Sequence, residues 1–124
     1  MAGKVRVYNA SKGTDIVTEG DVADRFWSRL KGLIGRPSLA PGQGLLIRPS
    51  KGVHMWFMRF PIDVIYVGEG DRVVDVDENM RPWAIGRPRA AARYVIEVPA
   101  GTVAATHTRP GDQLEIVPVE PPSS

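Results

Sequence analysis

Short stretches of alternating apolar and polar residues recur along the chain and predict a β-rich fold. Residues 4–9 alternate valine with basic side chains, as expected of a strand with one buried face. The segment DVIYVGEGDRVVDV, residues 63–76, places two β-branched runs around a glycine-containing turn and predicts a hairpin. Further strands are predicted at residues 16–18, 45–48, 94–98 and 113–117. About eight short strands in total favour a jelly-roll-like β-sandwich or a partly open barrel.

The segment from Val22 to Ile34 has the helical period instead. Either Asp21 or Asp24 can cap the start of this helix, and Gly35 and Pro37 end it. The sequence therefore predicts a mainly β fold with one α-helix, an α+β protein in which the helix packs on one side of the sheet. A short helical turn is also predicted at residues 103–106. The apolar residues with i, i+4, i+8, i+11, i+12 spacing are Val22, Phe26, Leu30, Leu33 and Ile34.

Length and composition limit the classes of protein to which this chain can belong. Its 124 residues fit a single domain, predicted over residues 1–117 with a frayed tail at 118–124. A formal charge of +2 gives no basic footprint for nucleic acid, and no apolar stretch is long enough to span a bilayer. The absence of cysteine excludes disulfides and thiolate nucleophiles. The N-terminus reads directly as a strand, which predicts a cytoplasmic protein, or an exported one whose leader has been removed.

The order of several short motifs resembles the family called domain of unknown function 192, a group of small prokaryotic β-rich proteins. The resemblance runs from about Val22 to Val117, and it depends on all the motifs occurring together. It implies a jelly-roll-like sandwich and supplies no activity. The residues that carry it are Ala23, Arg29, Gly32, Leu33 and Arg36; Gly44-Leu45-Leu46; Met58, Arg59, Pro61, Ile62 and Asp63; Val95-Ile96-Glu97 with Ala100-Gly101; and Gly111-Asp112.

Candidate site residues are concentrated in the apolar segment VHMWFMRFPIDVIYV, residues 53–67. His54 and Trp56 point to the same side of a strand; His54 is either hydrogen-bonded to a loop carbonyl or available to a ligand. Arg59 and Asp63 flank the bend expected at Pro61. They form either a buried structural ion pair or a pair in which Arg59 binds an anionic group and Asp63 orients it.

Two further histidine and tryptophan residues extend the list of candidates. Trp83, in the loop sequence MRPW, either packs in the core or presents an aromatic face to a sugar ring, a flat ligand or a partner. His107 and Asp112, with His54 and Asp63, contain the ligand types of a metal site, but their spacing does not require one. Gly111-Asp112 is interpreted as a tight turn, which gives Asp112 a structural role. Neither a metal nor a cofactor is predicted.

Three functional hypotheses follow from these residues. The first is a non-catalytic binding or accessory module that holds a small molecule, sugar or peptide in a cleft. The second is a small hydrolase or isomerase that uses His54 and Asp63 as an acid–base pair. The third is a structural domain that docks a partner protein through its aromatic loop. The sequence lacks a nucleophile elbow and a phosphate-binding loop, which favours the first hypothesis over an enzyme. The predicted binding residues are His54, Trp56, Arg59, Asp63 and Trp83.

Overall fold

A computed structural model describes residues 3–23, 38–52 and 59–119, and the fold of these residues is mainly β. A 3-10 turn at Glu69–Asp71 and a short helix, α1 (Thr102–Thr106), interrupt the strands. The strands are β1 (Val5–Asn9), β2 (Thr14–Ala23), β3 (Gln43–Ile47), β4 (Ile62–Val67), β5 (Val73–Met80), β6 (Tyr94–Pro99) and β7 (Leu114–Pro118).

The strands form one seven-stranded sheet in the order β5-β4-β6-β3-β2-β1-β7. Strands β2 and β3 pair in parallel, and the remaining neighbours pair antiparallel. The sheet curls into a half-barrel. The mainly β prediction is therefore confirmed, whereas the finer prediction of a jelly-roll sandwich of two sheets is not.

The two edge strands of the sheet meet at one corner, which holds the curl in place. Arg72 and Gln113 form an isolated antiparallel bridge between the segments that precede β5 and β7. The backbone N–H of Val73 donates to the carbonyl of Asp112 at 2.9 Å, and the N–H of Gly111 donates to the carbonyl of Val73 at 2.7 Å. Because these bonds join the first and last strands of the sheet order, the half-barrel is closed at this corner.

Both faces of the central strands are buried, as the continuous apolar runs in the sequence indicate. All six residues of β4 are buried, and alternate ones belong to different hydrophobic clusters. One cluster includes Ile65, Ile96 and Leu114, and the other includes Val64 and Val95. Strand β4 therefore has little freedom to shift its register against β5, and this register fixes the positions at which the flanking segments leave the hairpin.

The hairpin predicted at residues 63–76 is confirmed as β4 and β5, and the strands predicted at 4–9, 94–98 and 113–117 correspond to β1, β6 and β7. The helical turn predicted at 103–106 is α1. Strand β5 continues to Met80, four residues beyond the predicted end.

The predicted start of the long helix is wrong. Residues 21–23 belong to β2, where Asp21, Val22 and Ala23 pair in parallel with Leu45, Leu46 and Ile47. The local apolar spacing fits a helix, but this pairing partner lies more than 20 residues away and supplies backbone hydrogen bonds that local periodicity does not reveal. The rest of the predicted helix, residues 24–34, and the end of the predicted tail, residues 120–124, lie outside the described residues. Among the described residues, no helix is long and apolar enough to cross a membrane.

Candidate functional site

The rim of the β4–β5 hairpin brings two predicted site residues to the same end of the molecule. The pairing of Ile62 with Met80 means that the chain enters β4 and leaves β5 at this end. Arg59 is exposed just before β4, and Trp83 follows β5 with 59% of its surface exposed. The sequence places these residues 24 positions apart, and the hairpin register brings their segments together.

Trp83 occupies an unfavourable backbone position. The N–H of Ala84 donates to the carbonyl of Arg81 at 3.1 Å, which closes a turn with Pro82 and Trp83 at its two central positions. Trp83 has φ 69°. Proline followed by a residue of positive φ is the pattern of a type II turn, where glycine or asparagine normally stands. Trp83 therefore combines a backbone conformation that is unfavourable for a bulky residue with a side chain that is 59% exposed.

An open cleft of about 390 Å³ lies beside this turn. Met80 at the end of β5 forms one part of its wall, and Ile85 and Gly86 form another. Ile85 is 70% exposed, so this loop carries two large apolar side chains that the core does not cover. The remaining lining residues are Asp77, Glu78, Arg87 and Arg89.

A cluster of charged and aromatic side chains adjoins the cleft, and two of its members, Asp77 and Arg89, line it. The guanidinium of Arg89 donates to Asp75 and to Asp77, each at 2.8 Å, and lies 4.1 Å from the centre of the Tyr66 ring. The phenol of Tyr66 donates to Asp77 at 2.7 Å. Arg89 also donates to the carbonyl of Arg87. This cluster ties the loop that carries Ile85 and Arg87 to strands β4 and β5, so the cleft wall is held by a defined set of bonds.

The protonation preferences of the cluster follow from its burial and its bonds. Burial raises the pKa of the Tyr66 phenol, and the hydrogen bond to Asp77 raises it further. Burial alone would raise the pKa of Asp75, but the hydrogen bonds from Arg89 and the Val76 N–H outweigh it, and the pKa lies below the ordinary value. Desolvation opposes the charge on Arg89, and its two carboxylate partners more than compensate, so its pKa is raised. Asp75 and Arg89 therefore stay charged at neutral pH, and the Tyr66 phenol keeps its proton.

Asp63 lies inside the protein, and the predicted ion pair with Arg59 is wrong. The carboxylate of Asp63 is 0% exposed and accepts three backbone N–H bonds. These come from Asn79 at 2.8 Å, Gly101 at 3.0 Å and Val103 at 2.9 Å. Gly101 and Val103 lie at the start of α1, and Asn79 lies in β5 at a register irregularity opposite Asp63. Backbone donors replace the expected arginine, so Asp63 joins three elements and offers no surface to a ligand.

The predicted turn at Gly111-Asp112 is confirmed. Gly111 has φ 94°, and Asp112 accepts the backbone N–H of Arg109 at 2.9 Å. Its carboxylate also accepts hydrogen bonds from Asn9 at 3.0 Å and from Lys12 at 2.8 Å. Burial favours the neutral acid, but these donors outweigh it and lower the pKa of Asp112.

Three candidates remain, of which only His107 lies within the described residues. His54 and Trp56 lie outside the described residues, so their place in the binding site stays a prediction. His107 is exposed at the end of α1, with φ 57°. Within residues 3–23, 38–52 and 59–119, no group of three or more His, Cys, Asp or Glu side chains is arranged to hold a metal ion.

Glu97 is a buried carboxylate that the sequence analysis did not identify as a possible site residue. It lies in the central strand β6, between Leu45 of β3 and Val64 of β4, and is only 4% exposed. Glu97 takes part in an interaction within the protein. The signal in the sequence is an acidic residue at an inward position of the run YVIEV, where a carboxylate needs a partner to be tolerated.

Comparison with known proteins shows the family to which the chain belongs. The model of the family DUF192, described as “Uncharacterized ACR”, matches residues 7–116. The chain belongs to this family. A UPF0127 protein of Pyrococcus furiosus is 36% identical over 110 residues, covering 86% of this chain and 94% of the relative. A UPF0127 protein of Thermococcus sibiricus is 31% identical over 111 residues, covering 86% of this chain and 71% of the relative.

Two solved structures have a similar fold. A protein of unknown function from Novosphingobium aromaticivorans superposes with a TM-score of 0.77 at 27% identity, covering 92% of this chain and 84% of the other. A protein from Sinorhizobium meliloti, described as a putative transcription regulator, superposes with a TM-score of 0.75 at 30% identity and covers 93% of both chains. These similarities support the architecture and leave the activity of the family open.

Proposed function

We propose that this DUF192 protein is a non-catalytic binding module whose ligand occupies the rim formed by Arg59, Trp83 and the cleft between Met80 and Arg87. The observation that carries this proposal is Trp83 itself. A left-handed backbone conformation costs a non-glycine residue roughly 1–2 kcal/mol, and 59% of the side chain remains in water. A strained and largely exposed aromatic residue beside an open cleft supports a role in ligand binding.

The surroundings of Trp83 favour recognition over catalysis. The rim combines exposed apolar surface with exposed charged side chains, as binding clefts do. An acid–base pair of His54 and Asp63 has less support, because Asp63 has no exposed surface and three backbone groups already occupy its oxygens. A carboxylate in this arrangement does not reach a substrate.

A ligand screen on two variants tests this proposal. Small molecules, glycans and random peptides are added to the protein, and the indole N–H signals are followed by two-dimensional NMR; Trp83→Asn assigns the Trp83 signal. We expect at least one ligand class to shift that signal in the wild type and to lose about tenfold or more in affinity with Trp83→Asn. Arg109→Gln removes an exposed charge elsewhere and serves as the control. Ligands that bind both proteins equally, or a Trp83 signal that no ligand shifts, would reject the rim as the binding site.

A further inference from the structure

The rim carries an excess of arginine side chains without ionic partners. Arg59, Arg81 and Arg87 are all exposed. Among the described residues, none of the three takes part in an ion pair, whereas the neighbouring Arg89 is fully engaged. The loop of residues 81–93 contains four arginines and no acidic residue. Guanidinium groups left in this state are available to external carboxylates.

The acidic residues near the cleft are mostly neutralised within the protein. Asp77 accepts from Arg89 and Tyr66, and Asp75 accepts from Arg89 and the N–H of Val76. Glu78 is the exposed carboxylate on the cleft wall. Arg87 lines the cleft, and Arg59 and Arg81 lie on the segments that flank the same end of the hairpin, against the one exposed carboxylate of Glu78. This balance of charge favours a negatively charged ligand.

The apolar part of the rim lies in a shallow, open cleft that an apolar side chain can occupy. Met80 and Ile85 line the cleft, and methionine adapts its shape to different apolar groups. A neutral sugar would use the face of Trp83 but would leave the surface of Ile85 and the guanidinium groups without partners. A peptide with a large apolar side chain and nearby acids uses all of these features.

We propose that the ligand of this rim is an acidic peptide segment, in which one large apolar side chain fills the cleft between Met80 and Ile85 while flanking carboxylates pair with Arg59, Arg81 or Arg87. This inference rests on the proposed function and specifies its ligand class. Arginine binds carboxylates through two parallel hydrogen bonds, and tryptophan and arginine dominate the binding energy of many protein interfaces. Such a complex weakens as salt concentration rises, because the paired charges are exposed.

Selection from a random peptide display library tests the ligand class. We expect the wild-type protein to enrich peptides that carry two or more Asp or Glu residues beside a Phe, Leu, Ile or Trp. A selected peptide, synthesised with a fluorescent label, is then titrated against the wild type and against the triple variant R59Q/R81Q/R87Q. We expect the affinity to fall at least about tenfold with the triple variant and with Trp83→Asn, and to be unchanged with the control Arg109→Gln. Replacing Asp and Glu of the peptide by Asn and Gln has the same expected effect as the triple variant.

The possible failures are distinguishable. Enriched peptides that are neutral or basic, yet depend on Trp83, would overturn the charge preference and leave the binding module intact. A selection that enriches nothing would overturn the peptide class, while the separate NMR screen decides the binding function. Trp83-dependent binding of phosphatidylserine vesicles or of a dT oligonucleotide, with no binding of the acidic peptides, would also overturn the inference. The melting temperature of the triple variant, expected to match the wild type, verifies that the exposed substitutions leave the fold intact.

Discussion

At the scale of single residues, Asp63 and Trp83 have opposite relations to the fold. Asp63 is a charged residue with no exposed surface whose oxygens are used by backbone N–H groups of β5 and the start of α1. Trp83 is a large apolar residue that remains mostly exposed at a positive φ. The sequence alone does not separate these roles, because each residue closely follows a proline: Pro61 stands two positions before Asp63, and Pro82 directly precedes Trp83. The difference lies in the partners that the fold brings to each.

Removal of the Asp63 carboxylate is expected to destabilise the protein. Asp63→Ala leaves three backbone N–H groups without their acceptor, and we expect a loss of about 3 kcal/mol in the free energy of unfolding. Urea denaturation monitored by circular dichroism measures this loss. Asp63→Asn keeps one acceptor oxygen and is expected to lose less. An unchanged denaturation midpoint for Asp63→Ala would contradict the structural role assigned to this carboxylate.

Asp112 is expected to contribute stability that depends on pH. Because its donors lower its pKa below the ordinary value of 3.8, the folded state favours the ionised form. This contribution is complete above the unfolded pKa and is lost as the pH falls through the lower folded pKa. We therefore expect Asp112→Asn to reduce the free energy of unfolding at pH 7, and the difference from the wild type to shrink below a pH of about 4.

Urea denaturation at several pH values tests the Asp112 prediction. The exposed acid Glu115 supplies the control, since Glu115→Gln removes a carboxylate outside this buried network. A destabilisation by Asp112→Asn that stays constant from neutral to strongly acidic pH would show that ionisation of Asp112 is not the cause.

At the scale of elements, the parallel pair of β2 and β3 depends on two facing glycines. Gly20 and Gly44 are paired in register beneath the side chain of Val17. A Cβ atom on Gly44 would lie 2.7 Å from the Cγ2 of Val17 and 3.2 Å from the carbonyl oxygen of Glu97. The close approach of these strands therefore requires the absence of a side chain.

A single methyl group at Gly44 is expected to strain this contact. We expect Gly44→Ala to lower the free energy of unfolding by about 1–3 kcal/mol, the usual range for overpacking a buried site. Thermal unfolding monitored by circular dichroism measures the effect. Gly3→Ala is the matched control, because nothing lies within 4 Å of the added atom. Equal melting temperatures for the two alanine variants would contradict the packing described for β2 and β3.

The elements that the sequence predicts well are those stabilised by neighbours along the chain. The β4–β5 hairpin is confirmed because the turn glycines and the β-branched residues on either side of them act locally. The end of β2 is predicted wrongly because residues 21–23 are stabilised by pairing with β3, a non-local contact. The partner of Asp63 is also predicted wrongly, since the donors come from residues 79, 101 and 103 and none of them is apparent from local spacing.

At the scale of the whole molecule, the curled sheet supports both a closed corner and an open rim. Bonds around Arg72 and Gln113 join the edge strands at the corner. The rim of Arg59 and Trp83 lies at the end of the hairpin where β4 starts and β5 finishes. The sequence predicted both rim residues as candidates, but it did not predict the cleft, because the clamp of Arg89 between Asp75 and Asp77 depends on the folded loop.

The most direct test of the account is the free energy of unfolding of Trp83→Asn and of the wild type, each with and without the selected acidic peptide. Without peptide, we expect Trp83→Asn to be at least as stable as the wild type, because asparagine tolerates the positive φ better. With peptide at about 100 times the dissociation constant, the wild type is expected to gain about 2.7 kcal/mol and the variant to gain little. A variant that is clearly less stable without peptide, or that gains as much from the peptide as the wild type, would contradict the central claim that Trp83 contributes mainly to ligand binding.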